Sequence, residues 1–347
     1  MVNSARLDTA YRAATLGAQA AVAAAALGAL AGAGVGACAL TAFCAGVALG
    51  LALDALRLPP AGRAVLVTGC DSGFGLAVAL RLQELGCIVF AGCLQAADSA
   101  GALRLRKLPR VHVLQLDITD DQQVAAARRV VEKQQPLEGL WGVVNNAGWT
   151  TVGHVEWVPV ATCQRMQEIN VWGMVRVLQA FLPLLRRAAG GGARVVNVAS
   201  ALGRQGAINK SAYCVSKYGV EALSDCLRYE MRQFGIHVAI IEPGNFVNAT
   251  KCYTEASIRR IAADLWEHMA EEVREEYGRA YFDAVFQRKI DYSTRGTDDP
   301  SPVVEAITQA LFHRFPHPRY QPMEPYFKIR TWLATHGPEW LYELIRP

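Results

Sequence analysis

The sequence predicts an α/β fold built on a doubly wound parallel sheet of the Rossmann type. Short apolar runs of strand length alternate with segments of helical periodicity, and a glycine-rich turn follows the first of these strands. Strands that are covered by helices on both faces read as continuous apolar runs. Ligands of doubly wound sheets bind at the carboxyl ends of the strands, so we expect the functional residues directly after strands.

The predicted elements begin after Pro59-Pro60, which ends an apolar N-terminal segment. The predicted strands are residues 64–67, 88–92, 111–116, 140–144, 194–198 and 238–241. The predicted helices are residues 76–85, 122–133, 163–185 and a helix that holds Tyr213 and Lys217 and runs to about Phe234. Each strand is a short run rich in Val, Ile and Leu, whereas the helices repeat apolar residues every three to four positions.

The N-terminal segment contains no charged residue from Ala13 to Leu53. A membrane-crossing helix needs about 20 residues, so this run is long enough for two short helices with a hinge at Gly32–Gly36, or for one crossing with a buried extension. It is too long for the core of a signal peptide and too apolar for a transit peptide. We expect it to attach the chain to a membrane. A buried hairpin in a soluble protein stays open, and arginines on both flanks leave the orientation open.

Composition excludes two classes of site. The formal net charge is only +4, and no run of Lys and Arg interleaved with aromatic residues is present, so we expect no nucleic-acid partner. The nine cysteines form no CxxC pair and do not cluster with histidines, so neither a metal site nor a disulfide framework is expected. A small-molecule substrate is the remaining expectation.

The glycine-rich turn Thr68–Gly75 lies between the first strand and the first helix of the sheet. Gly69, Gly73 and Gly75 have the spacing GxxxGxG. Glycines here let the backbone approach a pyrophosphate, and the helix N-terminus supplies amide donors. Turn formation alone would also explain them, but the position after a strand is the context that a nucleotide site requires.

Polar residues also follow the later strands. Asp117 follows the third strand and Asn145-Asn-Ala-Gly148 follows the fourth, where an adenine and a ribose would lie. Ser200 follows the fifth strand. Its hydroxyl could bind the oxygen of a substrate carbonyl or alcohol.

Tyr213 and Lys217 are four residues apart at the start of a helix, so both side chains project from one face. An ammonium beside a phenol favours the phenolate and should lower the tyrosine pKa from about 10, which makes Tyr213 an acid/base. Asn170, in the long helix, is placed to anchor a water that links Lys217 to solvent.

Together these residues resemble the short-chain dehydrogenase/reductase family over about residues 63–248. The matching motifs are TGxxxGxG at 68–75, NNAG at 145–148, Ser200, YxxxK at 213–217 and PG at 243–244. The resemblance implies that Tyr213 is the general acid/base, Ser200 orients the substrate, Lys217 anchors the cofactor and Asn170 is the fourth catalytic residue. It implies a nicotinamide cofactor bound by Gly69, Ser72, Gly73, Phe74, Gly75, Asp117, Asn145, Ala147, Gly148, Tyr213, Lys217, Pro243 and Gly244.

Longer motifs are similar to the membrane-associated branch of the family, which includes retinol, hydroxysteroid and D-3-hydroxybutyrate dehydrogenases. The stretches TGCDSGFG, GLWGVVNNAG, FLPLLRRA and EPGNF carry this similarity, and DCLRYEM and YGRAYFD are most similar to the mitochondrial hydroxybutyrate enzymes. The resemblance implies interconversion of D-3-hydroxybutyrate and acetoacetate, a reaction of ketone-body metabolism. A membrane-bound hydroxysteroid or retinol dehydrogenase is the alternative, and a non-catalytic membrane-tethered binding protein is a remote one.

A fixed cation would distinguish these substrates, because hydroxybutyrate is an anion and a steroid or retinoid is not. Lys210, in the stretch NKSAY, is the first candidate and Arg204 is the second. Soluble bacterial members carry a histidine two residues after the catalytic serine, where this chain has Leu202. The residues that bind the substrate carboxylate in those members are therefore not all present in this chain.

The cofactor is expected to be NAD, because Cys93–Ser99 contains no Arg or Lys to bind a 2′-phosphate. We expect residues 1–60 to anchor the chain in a membrane, residues 61–250 to form the NAD-binding catalytic domain and residues 251–347 to form a helical substrate lid and extension. By resemblance, the chain is expected in the mitochondrial inner membrane, with the endoplasmic reticulum as alternative. Membrane lipid and a homo-oligomer, a dimer or a tetramer, are the expected partners.

Overall fold

The computed structural model describes residues 4–30, 35–188, 192–250, 252–294 and 296–344. The described residues form one sheet of seven strands: β1 Ala64–Thr68, β2 Ile88–Cys93, β3 Val111–Gln115, β4 Leu140–Asn145, β5 Arg194–Val198, β6 His237–Ile241 and β7 Arg319–Tyr320. All neighbouring strands are parallel, in the order β3-β2-β1-β4-β5-β6-β7. The strand order reverses between β1 and β4, because β2 and β3 follow on one side of β1 and β4 to β7 lie on the other. Such sheets bind ligands at this switch point. The predicted α/β doubly wound fold is confirmed.

The α-helices are α1 Ser4–Leu30, α2 Val35–Ala55, α3 Gly73–Glu84, α4 Ala100–Leu105, α5 Asp121–Gln134, α6 Val160–Gln167, α7 Gly173–Arg187, α8 Ser211–Met231, α9 Val247–Thr250, α10 Glu255–His268, α11 Glu271–Tyr277, α12 Arg279–Ser293, α13 Ser301–Phe312, α14 Pro325–His336 and α15 Glu339–Leu344. The long helix expected at 163–185 has a π-helical segment, Glu168–Trp172, between α6 and α7. Such insertions are frequent at functional sites.

Two apolar clusters cover the two faces of the sheet. Alternate residues of a strand point to opposite faces, so Leu66 packs in one cluster and Val65 and Val67 pack in the other. Helices α5, α7 and α8 contribute buried residues to the first cluster, and α3 and α13 to the second. Both clusters are fully buried at their centres, which explains why the strands read as uninterrupted apolar runs.

The boundary that we expected at residue 250 does not separate the sheet from the lid. Strand β7 pairs with β6, and α13 packs in the second apolar cluster, although both come from the C-terminal third of the chain. Strand β7 is only two residues long, so no strand pattern in the sequence predicts it. The lid itself is formed by α10, α11 and α12, whose apolar residues pack around Trp157 and Phe282.

Helices α1 and α2 form an antiparallel hairpin in which small residues allow close packing. A Cβ added to Gly50 would lie 2.8 Å from the Cα of Ala13, and one added to Gly46 would lie 2.8 Å from the Cα of Gly17. Small residues at four-residue spacing pack membrane helices in this way. The stretch Cys38–Ala55 is long and apolar enough to cross a membrane, and most of it is exposed. The expected hinge at Gly32–Gly36 lies partly in residues 31–34, outside the described residues.

The base of the hairpin is joined to the core that surrounds the sheet. Asp54 is 3% exposed and lies 3.2 Å from Nε2 of His317. The backbone N–H of Leu58 donates to the carbonyl of Phe312 at 2.7 Å, and that of Arg314 donates to the carbonyl of Leu56 at 3.0 Å. The hairpin is therefore held against the end of α13 by backbone and side-chain bonds.

Candidate active site

A cavity of about 880 Å³ opens at the carboxyl ends of the strands, between the glycine-rich turn and the lid. Its floor comes from the loops after β1, β4, β5 and β6, as the strand-end expectation requires. One half is lined by the turn and by Asp117, and the other half by residues of α8, the lid and α14. A dinucleotide and a second small molecule can share a cavity of this size.

The glycine-rich turn has the backbone geometry of a phosphate-binding loop. Gly69 has φ of +73° and Gly73 has φ of +56°, conformations that favour glycine. A Cβ on Gly69 would lie 2.8 Å from the Cα of Ala147. Ser72, Gly73 and Phe74 line the cavity at the N-terminus of α3. The turn therefore leaves room for an anion beside free amide donors.

Gly75 takes a different place from the one expected. It does not line the cavity, and a Cβ there would lie 2.1 Å from the carbonyl oxygen of Gly69. Gly75 thus allows α3 to pack against the turn, and does not itself face a ligand.

The two asparagines after β4 also divide their tasks. Asn145, which we expected to bind cofactor, is buried and donates to Oδ1 of Asn197 at 2.9 Å. Asn146 lines the cavity, and its Nδ2 donates to the carbonyls of Thr68 and Gly69 at 2.9 and 3.3 Å. Asn145 therefore ties two strands together, and Asn146 holds the glycine-rich turn to the end of β4.

Two carboxylates line the nucleotide half of the cavity. Asp117, as expected, lies there, and its Oδ1 accepts from the backbone N–H of Thr119 at 2.8 Å. Asp71 was not expected. It accepts from the backbone N–H groups of Leu94 and Gln95 at 2.8 and 2.9 Å, which fixes the loop after β2. Ala147, Gly148, Pro243 and Gly244 line the cavity as expected.

Ser200, Tyr213 and Lys217 come together in the centre of the cavity. The Ser200 hydroxyl hydrogen-bonds Tyr213 and accepts from the backbone N–H of Leu202 at 3.2 Å. Nζ of Lys217 donates to the carbonyl of Val198 at 3.0 Å and lies 5.7 Å from the centre of the Tyr213 ring. The i, i+4 spacing on α8 thus places the phenol and the ammonium on one face.

Protonation at this centre is dominated by burial. Burial raises the pKa of Tyr213 above its ordinary value, and the Ser200 hydrogen bond lowers it by less. The expectation that Lys217 would bring this pKa down overlooked how deeply the phenol is buried. Burial also lowers the pKa of Lys217 to about 8, although the charge of Glu221 opposes this.

Asn170 lies in the π-helical segment and is 1% exposed. Its Oδ1 accepts from the N–H of Trp149 at 2.7 Å, and its Nδ2 donates to the carbonyl of Trp149 and to Oγ of Ser216, both at 2.9 Å. All of its side-chain bonds hold the strand-end loop against α8, beside Gly148. The expected link through a water to Lys217 stays a prediction.

Lys210 lines the other half of the cavity, as expected of a substrate-binding cation. Its ammonium donates to the hydroxyl of Tyr253 and lies 3.5 Å from the carbonyl of Thr151. Burial and, to a lesser extent, the charge of Lys289 lower its pKa to about 7. None of the described carboxylates pairs with it. Arg204 does not line the cavity, and its charge acts on Glu221 and Tyr218 of α8.

Several lining residues carried no sequence signal. Tyr253, Lys289, Tyr292 and Arg330 lie after the last predicted strand. Tyr253 is in the loop before α10, and the other three are in α12 and α14, whose docking on the cavity no periodicity reveals. Asn146 belongs to the recognised NNAG motif, and only the direction of its side chain was missed.

The residues present fit a nicotinamide dinucleotide. A glycine cradle that a Cβ would fill, a helix N-terminus and a long cavity ending at Tyr213 are the features that such a cofactor requires. Within the described residues no group of His, Cys, Asp and Glu could hold a metal ion.

Comparison with known proteins agrees with this geometry. The family model for short chain dehydrogenases matches residues 63–258. The mitochondrial D-beta-hydroxybutyrate dehydrogenase of Bos taurus is 46% identical over 287 residues, which cover 81% of this chain and 82% of that protein. Retinol dehydrogenase 16 of Mus musculus is 39% identical over 257 residues, covering 74% and 79%. A short chain dehydrogenase from Burkholderia cenocepacia J2315, solved in complex with NADP, shares the fold with a TM-score of 0.59 at 21% identity, covering 84% of this chain and all of that one.

Proposed function

This chain belongs to the short-chain dehydrogenase family of oxidoreductases, and we propose that it interconverts D-3-hydroxybutyrate and acetoacetate with NAD as the hydride carrier. The observation that carries the proposal is Lys210. A partly buried ammonium with no carboxylate partner among the described residues can pair with an anion, and it lies in the same cavity as the Ser200, Tyr213 and Lys217 group. The similarity to hydroxybutyrate dehydrogenases supports the same substrate.

Each catalytic side chain has a separate task in this proposal. Tyr213, as phenolate, takes the proton of the substrate hydroxyl while the hydride leaves the carbinol carbon. Ser200, hydrogen-bonded to Tyr213, holds the same substrate oxygen. The bound cofactor accepts the hydride at its nicotinamide C4.

Lys217 and Asn170 support Tyr213 and Ser200 indirectly. The ammonium of Lys217 stabilises the phenolate electrostatically at 5.7 Å from the ring centre, and it is fixed there by its bond to Val198. Asn170 positions the Trp149 loop, which borders Gly148 at the floor of the cavity. The residues proposed to bind the cofactor are those expected from the sequence, with Asn146 and Asp71 added and with Gly75 and Asn145 as supports.

NAD is proposed over NADP because the loop after β2 offers no cation to a 2′-phosphate. Leu94 lines the cavity at that point, and the carboxylate of Asp71 accepts from its backbone N–H. A ribose hydroxyl can donate to such a carboxylate, whereas a phosphate would be repelled.

A hydroxysteroid or retinol dehydrogenase is the second candidate. The observation that favours it is the apolar lining of the substrate half, which includes Leu202, Ile208, Ile258 and Phe327. The similarity to retinol dehydrogenase 16 supports the same alternative. An uncharged substrate would, however, leave Lys210 without an anion.

We propose that the hairpin of α1 and α2 enters a lipid bilayer, that of the mitochondrial inner membrane in preference to the endoplasmic reticulum. Its exposed apolar surface and its close helix packing support insertion. Because the helices are antiparallel, the chain would enter and leave the bilayer on the side of the catalytic core. A homo-oligomer is proposed by family resemblance.

The test is NADH formation by the full chain, purified and reconstituted in lipid, with D-3-hydroxybutyrate, corticosterone, all-trans-retinol and an androgen diol side by side. We expect turnover of hydroxybutyrate that falls at least tenfold in kcat/KM in Lys210→Ala and is unchanged in the exposed-lysine control Lys107→Ala. Tyr213→Phe should abolish turnover in a folded protein. Turnover of a steroid or retinol with no effect of Lys210→Ala would refute the proposal, and no turnover of any substrate would favour the non-catalytic alternative.

A further inference from the structure

The substrate half of the cavity contains a second lysine that the catalytic chemistry does not use. Lys289, on lid helix α12, lines the cavity, and its Nζ lies 5.9 Å from the centre of the Tyr292 ring. It forms no ion pair with any carboxylate in the described parts of the chain. Its charge is the largest effect, after burial, that lowers the pKa of Lys210. The two lysines thus line the same half of one cavity, and their like charges repel each other.

The charges of the cavity are separated between its halves. Arg330, on α14, is a third cation on the substrate side, and its buried Nε donates to no described acceptor. The acidic lining residues lie elsewhere: Asp71 and Asp117 bind backbone N–H groups near the nucleotide end, and Glu168 pairs with an arginine outside the cavity. No protein carboxylate among the described lining residues neutralises the substrate side.

Like charges held close together in a partly buried site destabilise the empty protein, and a bound anion removes that cost. A carboxylate has two oxygens that can accept from two donors at once. Lys210 approaches from the start of α8, beside Tyr213, and Lys289 approaches from the lid. An anion between them would thus be bound by both walls of the cavity.

We propose that Lys289 is a specificity-determining residue that, together with Lys210, binds the carboxylate of a short-chain 3-hydroxy acid, one ammonium from each wall. The inference rests on the proposed function and deepens it. It assigns to the lid a direct contact with the substrate, and it explains discrimination between a charged acid and an uncharged alcohol of similar size.

The test compares the reconstituted wild type, Lys289→Gln and Arg288→Gln with D-3-hydroxybutyrate and with its uncharged methyl ester. Arg288 is the adjacent residue of α12 and is exposed, so its variant removes the same charge from the same helix outside the cavity. We expect Lys289→Gln to raise KM for the acid about tenfold or more, as loss of one charge-assisted hydrogen bond does, with kcat within about twofold. KM for the ester should not change, and Arg288→Gln should resemble the wild type.

A pH profile separates a direct charge effect from a structural one. In the wild type, KM for the acid should rise with pH as Lys210 loses its proton near pH 7. In Lys289→Gln this rise should move to higher pH, because the repulsion that lowers the pKa of Lys210 is gone. The other titratable groups facing Lys210, which are Tyr213, Cys214, Cys252 and Tyr253, are the same in both proteins.

Two results would overturn the inference. An unchanged KM for the acid in Lys289→Gln, or an equal rise in Arg288→Gln, would remove Lys289 from the site and leave the proposed function standing. A wild type that oxidises retinol or a steroid but not the acid would end the proposed function, and the two-lysine site with it.

Discussion

Arg319 on β7 joins the edge of the sheet to the catalytic helix through three carboxylates. Its guanidinium contacts Glu221 and lies 2.6 Å from both Asp225 and Glu242. Glu221 and Asp225 belong to α8, and Glu242 directly precedes the cavity-lining Pro243. The side chains of Glu221 and Glu242 are 6% and 0% exposed, so ionisation of either carboxyl in the fold depends on Arg319.

Replacing Arg319 with Leu should therefore be strongly destabilising. Removing one partner of a buried ion pair costs about 3–5 kcal/mol, because it leaves an uncompensated charge. At roughly 2 °C per kcal/mol for a chain of this size, the melting temperature should fall by about 6–10 °C. The matched control is Arg259→Leu, which removes an exposed i, i+4 pair with Glu255 that is worth about 0.3–0.5 kcal/mol.

The pH dependence gives the same reasoning a second check. Burial and the charge of Glu242 raise the pKa of Glu221 to about 8, against about 4.3 for an unfolded glutamate. The folded state thus keeps a proton that the unfolded state loses between these values, so this group destabilises the fold as pH rises. Without Arg319 the pKa of Glu221 rises further, so the destabilisation with rising pH grows. The free energy of unfolding that Arg319→Leu loses relative to the wild type should therefore be larger at pH 8 than at pH 6. Melting curves of the reconstituted protein at both pH values would refute the network if Arg319→Leu lost less than about 1 kcal/mol, or if its deficit grew on acidification.

Three further predictions concern the loop, the catalytic proton and the hairpin. Asn170→Ala removes three side-chain hydrogen bonds and its control Asn248→Ala removes one. Denaturant unfolding should therefore show that the free energy of unfolding falls by about 3 kcal/mol in the first variant and by about 1 kcal/mol in the second, and equal losses would contradict the positioning role. At saturating substrate, oxidation should accelerate from pH 7 upward, because burial holds the pKa of Tyr213 above that range, and a kcat that falls over pH 7–8 would speak against a phenolate base. Gly50→Leu should separate α1 from α2, because a Cβ at this position meets Ala13. The variant should lower the yield of membrane-bound protein that resists carbonate extraction, whereas Ala48→Leu, at an exposed position of the same helix, should not.

The rule that ligands bind at strand ends predicts many of the residues that line the cavity. The glycine-rich turn, Ser200, Tyr213 and Lys217 all lie where a doubly wound sheet places its ligand, because the rule depends on topology alone. It could not tell which asparagine of the NNAG motif faces the cavity. That choice follows from the register of β4, in which Asn145 pairs with Asn197 of β5.

The pKa values of these side chains are harder to predict from the sequence than their positions. The spacing of Tyr213 and Lys217 gave their common face, but the pKa of a phenol depends on the depth of its burial, which involves loops far away in the chain. The same limit applies to Lys289 and Arg330, because their helices α12 and α14 have no strong amphipathic pattern that would indicate which side faces the cavity. Only tertiary packing brings these cations to the substrate side of the cavity.

The hydrogen bonds between Leu58 and Phe312 and between Arg314 and Leu56 have a mechanical consequence. A membrane protein on a flexible tether samples many tilts, whereas here two backbone hydrogen bonds fix the joint between the hairpin and the core. With the hairpin in a bilayer, every copy would present its cavity at one height and one angle above the lipid headgroups. Diffusion of substrate to the cavity would then take place through a layer of water whose thickness the protein itself determines.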